Sequence, residues 1–332
     1  MGYATIKVEG GDTQAQFVLA AGSGGTPSFT MTAGTIRNSD TADKEYIHIV
    51  DDGGAIYVED GTCKISGGAI KECAAVNGGA IYMTGGSCTI SNKAIISDNL
   101  ARGGHGGAVC ILNGTFKMEG EEAQITRNSA INREGKGGNG GGVYVASNTE
   151  KTVEVTIASG IVTGNTSDRL GGGICVNMTG DNSVAKVTVG TKNGGDENPN
   201  ISKNHTLLEG GGLYVKGSKA DINIQSGYIM ENTVSAYVAN ENVANEGGMV
   251  TLEGGEVTHV VVTFNANGGN ETDVTQNIVT ATNSLLNAPT FTRTGYTFTG
   301  WNTRADGRGT SYTNGQVMNI TTDLTLYAQW KL

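Results

Sequence analysis

The sequence predicts an all-β chain: a parallel β-helix over residues 1–258, followed by a small aromatic-cored module over 259–332. Three observations point there. Two short words alternate along the first part at intervals of one solenoid coil. Glycine is abundant, at 53, while proline stands at 3, and no helical apolar period appears. Near residue 258 the words stop, and both tryptophans, Trp301 and Trp330, lie beyond that point.

The first word is a glycine pair, a small or third glycine residue, an aliphatic residue and a Tyr or Cys. It begins at Gly53, Gly78, Gly106, Gly140, Gly171 and Gly210, with a degenerate copy at Gly247-Gly248-Met249-Val250. The spacings are 25, 28, 34, 31, 39 and 37 residues, and a recurrence of that size marks a stacked repeat. Glycine reaches positive φ at little cost and lets neighbouring coils approach at strand spacing.

The second word is an aliphatic residue, two variable ones and Asn, some twenty residues after most glycine pairs. It supplies Asn99, Asn128, Asn165, Asn204 and Asn232; Cys73 takes the slot in the coil opened by Gly53, and Asn38 one repeat earlier. Asn tolerates left-handed geometry and its amide can bond the Asn above and below, which predicts a ladder through a turn. Between the words run short alternating stretches such as "CTISNKAI" and "ADINIQSG", which read as half-buried strands. Three strands per coil and about seven coils are expected, with residues 4–21 as an N-terminal cap or a further coil.

Length varies at defined places. From the Asn slot to the next glycine pair there are 4, 6, 11, 5, 5 and 14 residues, and further insertions fall at 147–152 and 178–200. Solenoids place insertions on defined edges, often where partners bind. Loops 129–139 and 233–246 are the chief candidates, and Arg102, His105, Arg133 and Tyr237 the candidate ligand-binding residues.

The paired words resemble the repeats of the chlamydial polymorphic membrane proteins over about residues 28–252, with Ile or Val where that family prefers Phe. The resemblance implies a right-handed β-helix displayed on a bacterial surface as an adhesin. In the last segment, Val262-Thr263-Phe264, Asn267-Gly268-Gly269, Gly295-Tyr296-Thr297-Phe298-Thr299-Gly300-Trp301, Asp306-Gly307 and Leu324-Thr325-Leu326-Tyr327-Ala328-Gln329-Trp330 are similar to the Listeria–Bacteroides repeat, the B-repeat of internalin B. That likeness implies a compact β-grasp-like spacer or interaction module, with neighbouring surface modules in a longer chain. Tyr296, Phe298, Trp301, Leu324, Leu326, Tyr327 and Trp330 are its expected centre.

The remaining chemistry is sparse. Residues 1–258 hold 18 Lys/Arg against 28 Asp/Glu and the module 4 against 4, so the net charge of −10 belongs to the solenoid. An acidic surface repels phosphate backbones, so nucleic acid is not an expected partner. No apolar run long enough to span a bilayer occurs. The start, Met1-Gly2-Tyr3, lacks a signal's basic and apolar regions, which leaves a cytosolic protein or a mature or recombinant piece of an exported one; the second, extracellular reading is the expectation.

The five cysteines form no CxxC pair and read as buried fillers, with a Cys63–Cys88 bridge as an alternative. No metal or cofactor site is expected. The column before the ladder Asn reads Asp98, Arg127, Gly164, Lys203 and Glu231, with no acidic cluster. Asp98 with Arg127 reads as a surface ion pair, against a lyase reading that would add Arg102. Asp51-Asp52 and Glu121-Glu122 read as solvated turn charges, His105 and His205 as exposed polar residues with no Cys or Ser partner identifiable from the sequence, and the Tyr57, Tyr82, Tyr144, Tyr214 column as a packed stack. Adhesion or recognition of a host protein or glycan, without catalysis, is the expected function. A carbohydrate-active β-helix enzyme and a plain surface stalk are the alternatives.

Overall fold

The computed structural model describes residues 5–8, 12–13, 17–19, 27–37, 50–147, 152–178, 184–192, 198–235, 239–240, 243–246, 249–252, 256–257, 259–279, 283–285, 289–313 and 316–332. Every regular element among them is a strand, and no helix long and apolar enough to cross a membrane occurs. Up to Val257 the strands stack in parallel as a right-handed β-helix.

Each coil contributes to four sheets, numbered here in chain order from the glycine pair. Sheet 1 contains Ile56–Val58, Ile81–Met83, Val109–Ile111, Val143–Val145, Ile174–Asn177 and Leu213–Lys216. Sheet 2 contains Thr62–Ile65, Ser87–Ile90 and their equivalents, and sheet 3 contains Ala69–Lys71, Ile95–Ser97 and theirs. Sheet 4 contains the short strands Ala74–Asn77, Leu100–Arg102, Ser129–Arg133, Thr166–Ser167, His205–Thr206 and Thr233–Val234.

Sheets 1 to 3 enclose the main core. Columns such as Ile70, Ile96, Ile125, Val162, Ile201 and Ile229 run along it, all fully buried. Sheet 4 lies outside that core, which is why three strands per coil are visible in the sequence and the fourth is not. Its members are two to five residues long, and their inward positions carry Ala75, Ala101 and Ala130, too small to write an alternating pattern.

The glycine pairs explain how sheet 4 fits. Gly78 turns the chain with φ of 60°. A Cβ on Gly79 would collide with the Gly107 carbonyl and sit 2.7 Å from the Leu100 backbone, one coil on. The chain therefore runs out along sheet 4, reverses at the first glycine and returns with the second pressed against the next sheet-4 strand. The result is a thin fin projecting from the solenoid.

The ladder forms as expected in its contacts. The Nδ2 groups of Asn99, Asn128, Asn165 and Asn204 donate to the Oδ1 of the next Asn at 2.9–3.0 Å, ending at Asn232. Each also donates back to a carbonyl of the preceding coil, as Asn165 does to Ile125 at 3.0 Å. Cys73 keeps the slot: its N–H donates to Asn99 Oδ1 at 3.0 Å and its thiol reaches the Ile36 carbonyl at 3.8 Å. The left-handed residue, however, is the one before Asn: Glu72, Asp98, Arg127, Lys203 and Glu231 have φ of 55–59°. With the preceding residue absorbing the reversal, the Asn amide is aimed along the stack.

The ends differ from expectation in one respect. Thr5–Val8 and Asp12–Thr13 pair with Ser28–Met31 and Thr35–Ile36, so the N-terminal stretch is a further partial coil. The degenerate glycine word at 247 does not open a sheet-1 strand. Val243–Glu246 fills that place beside Leu213–Lys216, and Met249–Leu252 belongs to sheet 2. Val243 is the aliphatic residue that enters the core, which fixes the register. Asn38 lies outside the described residues.

After Val257 a mixed five-stranded sheet forms in the order Val274–Val279, His259–Asn265, Leu324–Lys331, Thr297–Asn302, Ser311–Tyr312. Its central pair is parallel, with Val262 opposite Leu324. A separate core gathers Val262, Phe264, Phe291, Trp301, Leu326 and Ala328, with Phe298, Leu324 and Trp330 packed on it. Tyr296 and Tyr327 are not at its centre. Tyr327 falls on the odd face of a strand whose even positions point inward, and Tyr296 is 36% exposed beneath the Arg293 guanidinium. Strand Asn283–Leu285 lies against Val243–Glu246 and Met249–Leu252, at the solenoid's end.

Candidate functional site

The length variation between each ladder position and the next glycine pair falls at the outer tip of the fin, while the insertions at 147–152 and 178–200 fall elsewhere on the coil. After Asn128 the chain makes a hairpin, Ser129–Arg133 against Lys136–Gly137. After Asn232 it makes another, Thr233–Val234 against Ala239–Asn240. That second insertion is shorter than the sequence indicates, because residues 243–246 belong to sheet 1. The tips are tied coil to coil: Gly138 N–H donates to Gly104 O at 2.7 Å, and Arg169 N–H to Gly138 O at 2.9 Å. Asn132 N–H donates to Asp168 Oδ2 at 2.8 Å.

Of the four candidate residues, two stand on this edge and are exposed. Arg102 ends its sheet-4 strand opposite Ile131, and Arg133 ends the next, with Glu134 Oε1 3.8 Å away. Tyr237 lies outside the described residues. His105 is not an exposed polar residue. Its ring stacks on Tyr144 at 4.3 Å, and its buried Nδ1 has no hydrogen-bond partner. Burial, with the charge of Arg169 nearby, pushes its pKa down to about 4, so the ring is neutral at ordinary pH.

The reason for the stacking is a packing rule that the sequence reading missed. On the outer face of sheet 1, Tyr57, Tyr82, Cys110, Tyr144, Cys175 and Tyr214 form one column and a cluster of their own. The residue just before each glycine pair stands beside that column. Where the column holds Tyr, that residue is Asp52, Asn77, Asn139 or Glu209; where it holds Cys, it is His105 or Leu170. A bulky neighbour takes the room that cysteine leaves. The alternation was legible as letters, but its meaning needs the knowledge that these two columns touch.

All five cysteines are buried thiols, and none is in a disulfide. Cys63 and Cys88 face each other in register as thiols, and their hydrogen bond together with burial raises the Cys63 pKa. Burial likewise raises Cys110 and Cys175, which leaves them protonated and unreactive. Asp98 and Arg127 form the expected cross-coil ion pair, with N–O distances of 2.8 and 2.9 Å. Burial opposes ionisation of Asp98, but hydrogen bonds from Arg127 and Ser97 outweigh it and lower its pKa. Arg102 stands at the other end of its strand, so the three do not form a lyase-like group. Glu122 pairs with Lys93 at 3.1 Å, and Asp52 accepts from Asn77 at 2.9 Å.

His205 does have a Ser partner. Its Nε2 lies 2.9 Å from Ser235 Oγ and its Nδ1 2.9 Å from Thr233 Oγ1. These partners come from the next coil, so their separation of about thirty residues hid them. A hydroxyl rather than a carboxylate faces Nδ1, and the three side chains form an exposed hydrogen-bond cluster. Among the described residues no group of three His, Cys, Asp or Glu is placed to hold a metal ion.

With this geometry in place, comparison with known proteins bears on the C-terminal sheet. Residues 261–329 match the Listeria-Bacteroides repeat domain. Its quoted words map onto the observed strands: Val262-Thr263-Phe264 on the first, Trp301 at the core and Leu324 to Trp330 on the last. The putative Gly-rich membrane protein of Evansella cellulosilytica is 44% identical over 71 residues, 19% of this chain. This chain spans 8% of that relative's length. No solved structure matches the chain.

Proposed function

We propose that the chain is part of a bacterial cell-surface recognition protein, in which the solenoid presents the fin tips to an extracellular ligand and the Listeria-Bacteroides repeat serves as a spacer. The observation that carries this reading is that the tips between sheet 4 and the glycine pair vary in length yet are hydrogen-bonded from coil to coil, while core, ladder and glycine corner repeat with little change. The family match, the Gly-rich membrane protein relative and the likeness of the paired words to chlamydial polymorphic membrane proteins support an envelope location. Host protein or glycan is the ligand class, and the role is adhesion without catalysis.

The test replaces residues 131–138 and 235–241 with short glycine links and measures binding to cells, mucin and glycan arrays. Loss of binding with unchanged far-UV circular dichroism is expected; full retention overturns the assignment of the edge. Screening uronate-rich polysaccharides for unsaturated products or new reducing ends distinguishes an enzyme from an adhesin.

A further inference from the structure

The structure assigns a class of ligand to this edge: we infer that the tips of successive coils form a ledge for an acidic, aliphatic-bearing extended segment of a partner protein. The inference rests on the edge reading above and deepens it. Arg102, Arg133, Lys136 and Arg169 all stand exposed on neighbouring tips, in a chain of net charge −10. Those tips form one surface through the 2.7 and 2.9 Å bonds from Gly138 and Arg169 already described.

Some solenoid cations elsewhere meet carboxylates, as in Arg127–Asp98 at 2.8 Å and Lys93–Glu122 at 3.1 Å, whereas single ones such as Lys64 stand apart from other cations. On the ledge, Arg102, Lys136 and Arg169 have no carboxylate within 4.0 Å among the described residues, and Arg133 has only Glu134 at 3.8 Å. Asp168, which accepts from Asn132 N–H, and Glu134 offset two of the four positive charges, and two remain. Positive charge is therefore left open where an anionic partner would be drawn in.

The next coil decides between partner classes. Leu207 and Leu208 are 43% and 42% exposed, and Leu208 N–H donates to Arg169 O at 3.1 Å. The cations thus continue into two adjacent exposed leucines. Aliphatic side chains of a protein segment are stabilised by burying such surface; the hydroxyls of an anionic glycan are not. Because the ledge is hydrogen-bonded from coil to coil, a partner need not order it on binding.

The experiment pans a random-peptide phage library on the full chain and measures the most enriched peptide by fluorescence anisotropy. Enrichment in Asp and Glu with Leu, Ile or Val is expected, with affinity falling as salt rises. The variant Arg102→Glu, Arg133→Glu, Arg169→Glu should bind about tenfold more weakly, the product of three exposed ion pairs each worth a few-fold. Leu207→Ser with Leu208→Ser should weaken binding a few-fold, and Lys64→Glu with Lys219→Glu, away from the ledge, should leave it unchanged. Unaltered thermal melts exclude unfolding as the cause.

Peptides without acidic bias, equal binding by the triple variant, or charge-dependent binding of polygalacturonate instead of any acidic peptide would overturn the inference. Its failure is separable from that of the edge reading. Cell binding that survives loop replacement removes the biological role, while peptide binding still reports the ledge.

Discussion

In the solenoid, Ile125 meets Ile96 on one side and Val162 on the other, and the same exchange repeats at every coil. In the C-terminal module, Trp301 meets Phe264 of a neighbouring strand, Phe291 of a loop and Phe298 of its own strand, each edge-on at 4.9–5.5 Å. The first region holds together by nearest-neighbour contacts that sum along an axis. The second depends on one centre. A fault in the solenoid should therefore be felt by adjoining coils, whereas a fault at Trp301 should unfold the module as a whole.

The sharpest way to break that contrast is Asn165→Leu. It leaves the Asn128 N–H buried without a partner and removes three further side-chain hydrogen bonds, to Asn128, Asn204 and Ile125, so the solenoid should lose about 4 kcal/mol. Denaturant unfolding followed by far-UV circular dichroism should shift, while tryptophan emission, which comes from the module alone, should not. Trp301→Ala should do the reverse at a similar or slightly smaller cost of about 3–4 kcal/mol, with the circular-dichroism transition of the solenoid in place. If both signals move together in both variants, the two regions are one cooperative unit.

A smaller effect sharpens the account of the outer column. Cys110→Tyr puts a ring where His105 already stands on Tyr144 and should cost about 2 kcal/mol by overpacking. Adding His105→Asn copies the Asn77–Tyr82 arrangement and should recover most of that loss, measured as the midpoint of chemical unfolding. No recovery would mean that the Tyr–Asn and Cys–His pairing in the sequence is incidental.

The two regions were also unequally legible. Solenoid words repeat because each coil imposes the same demand, so Asn99 to Asn232 could be placed on a ladder from spacing alone. The left-handed position was harder to read: Asp98, Arg127 and Lys203 look like a column of mixed charge, and nothing in those letters announces φ above zero. Sheet 4 was silent because alanines beside a glycine layer need no alternation. The glycine pair at 247 misled because a copied word is weaker evidence than an aliphatic residue, Val243, at the right depth. In the module, Leu326 is buried on the inward face of its strand, whereas Tyr327 falls on the opposite face and Tyr296 is half-exposed, a difference of facing that an aromatic letter does not carry. At the candidate edge, Arg102 and Arg133 were found through insertion lengths, whereas the packing of His105 depended on a neighbouring column that no local pattern reveals.

The ladder has a mechanical consequence. Backbone hydrogen bonds between parallel coils point along the solenoid axis, and the asparagine amides run with them. A pull along that axis loads the rungs in series, so every coil carries the same force and the weakest opens first. Under flow or traction such a chain would lengthen in steps, one coil at a time, and its extension would report the load that it bears.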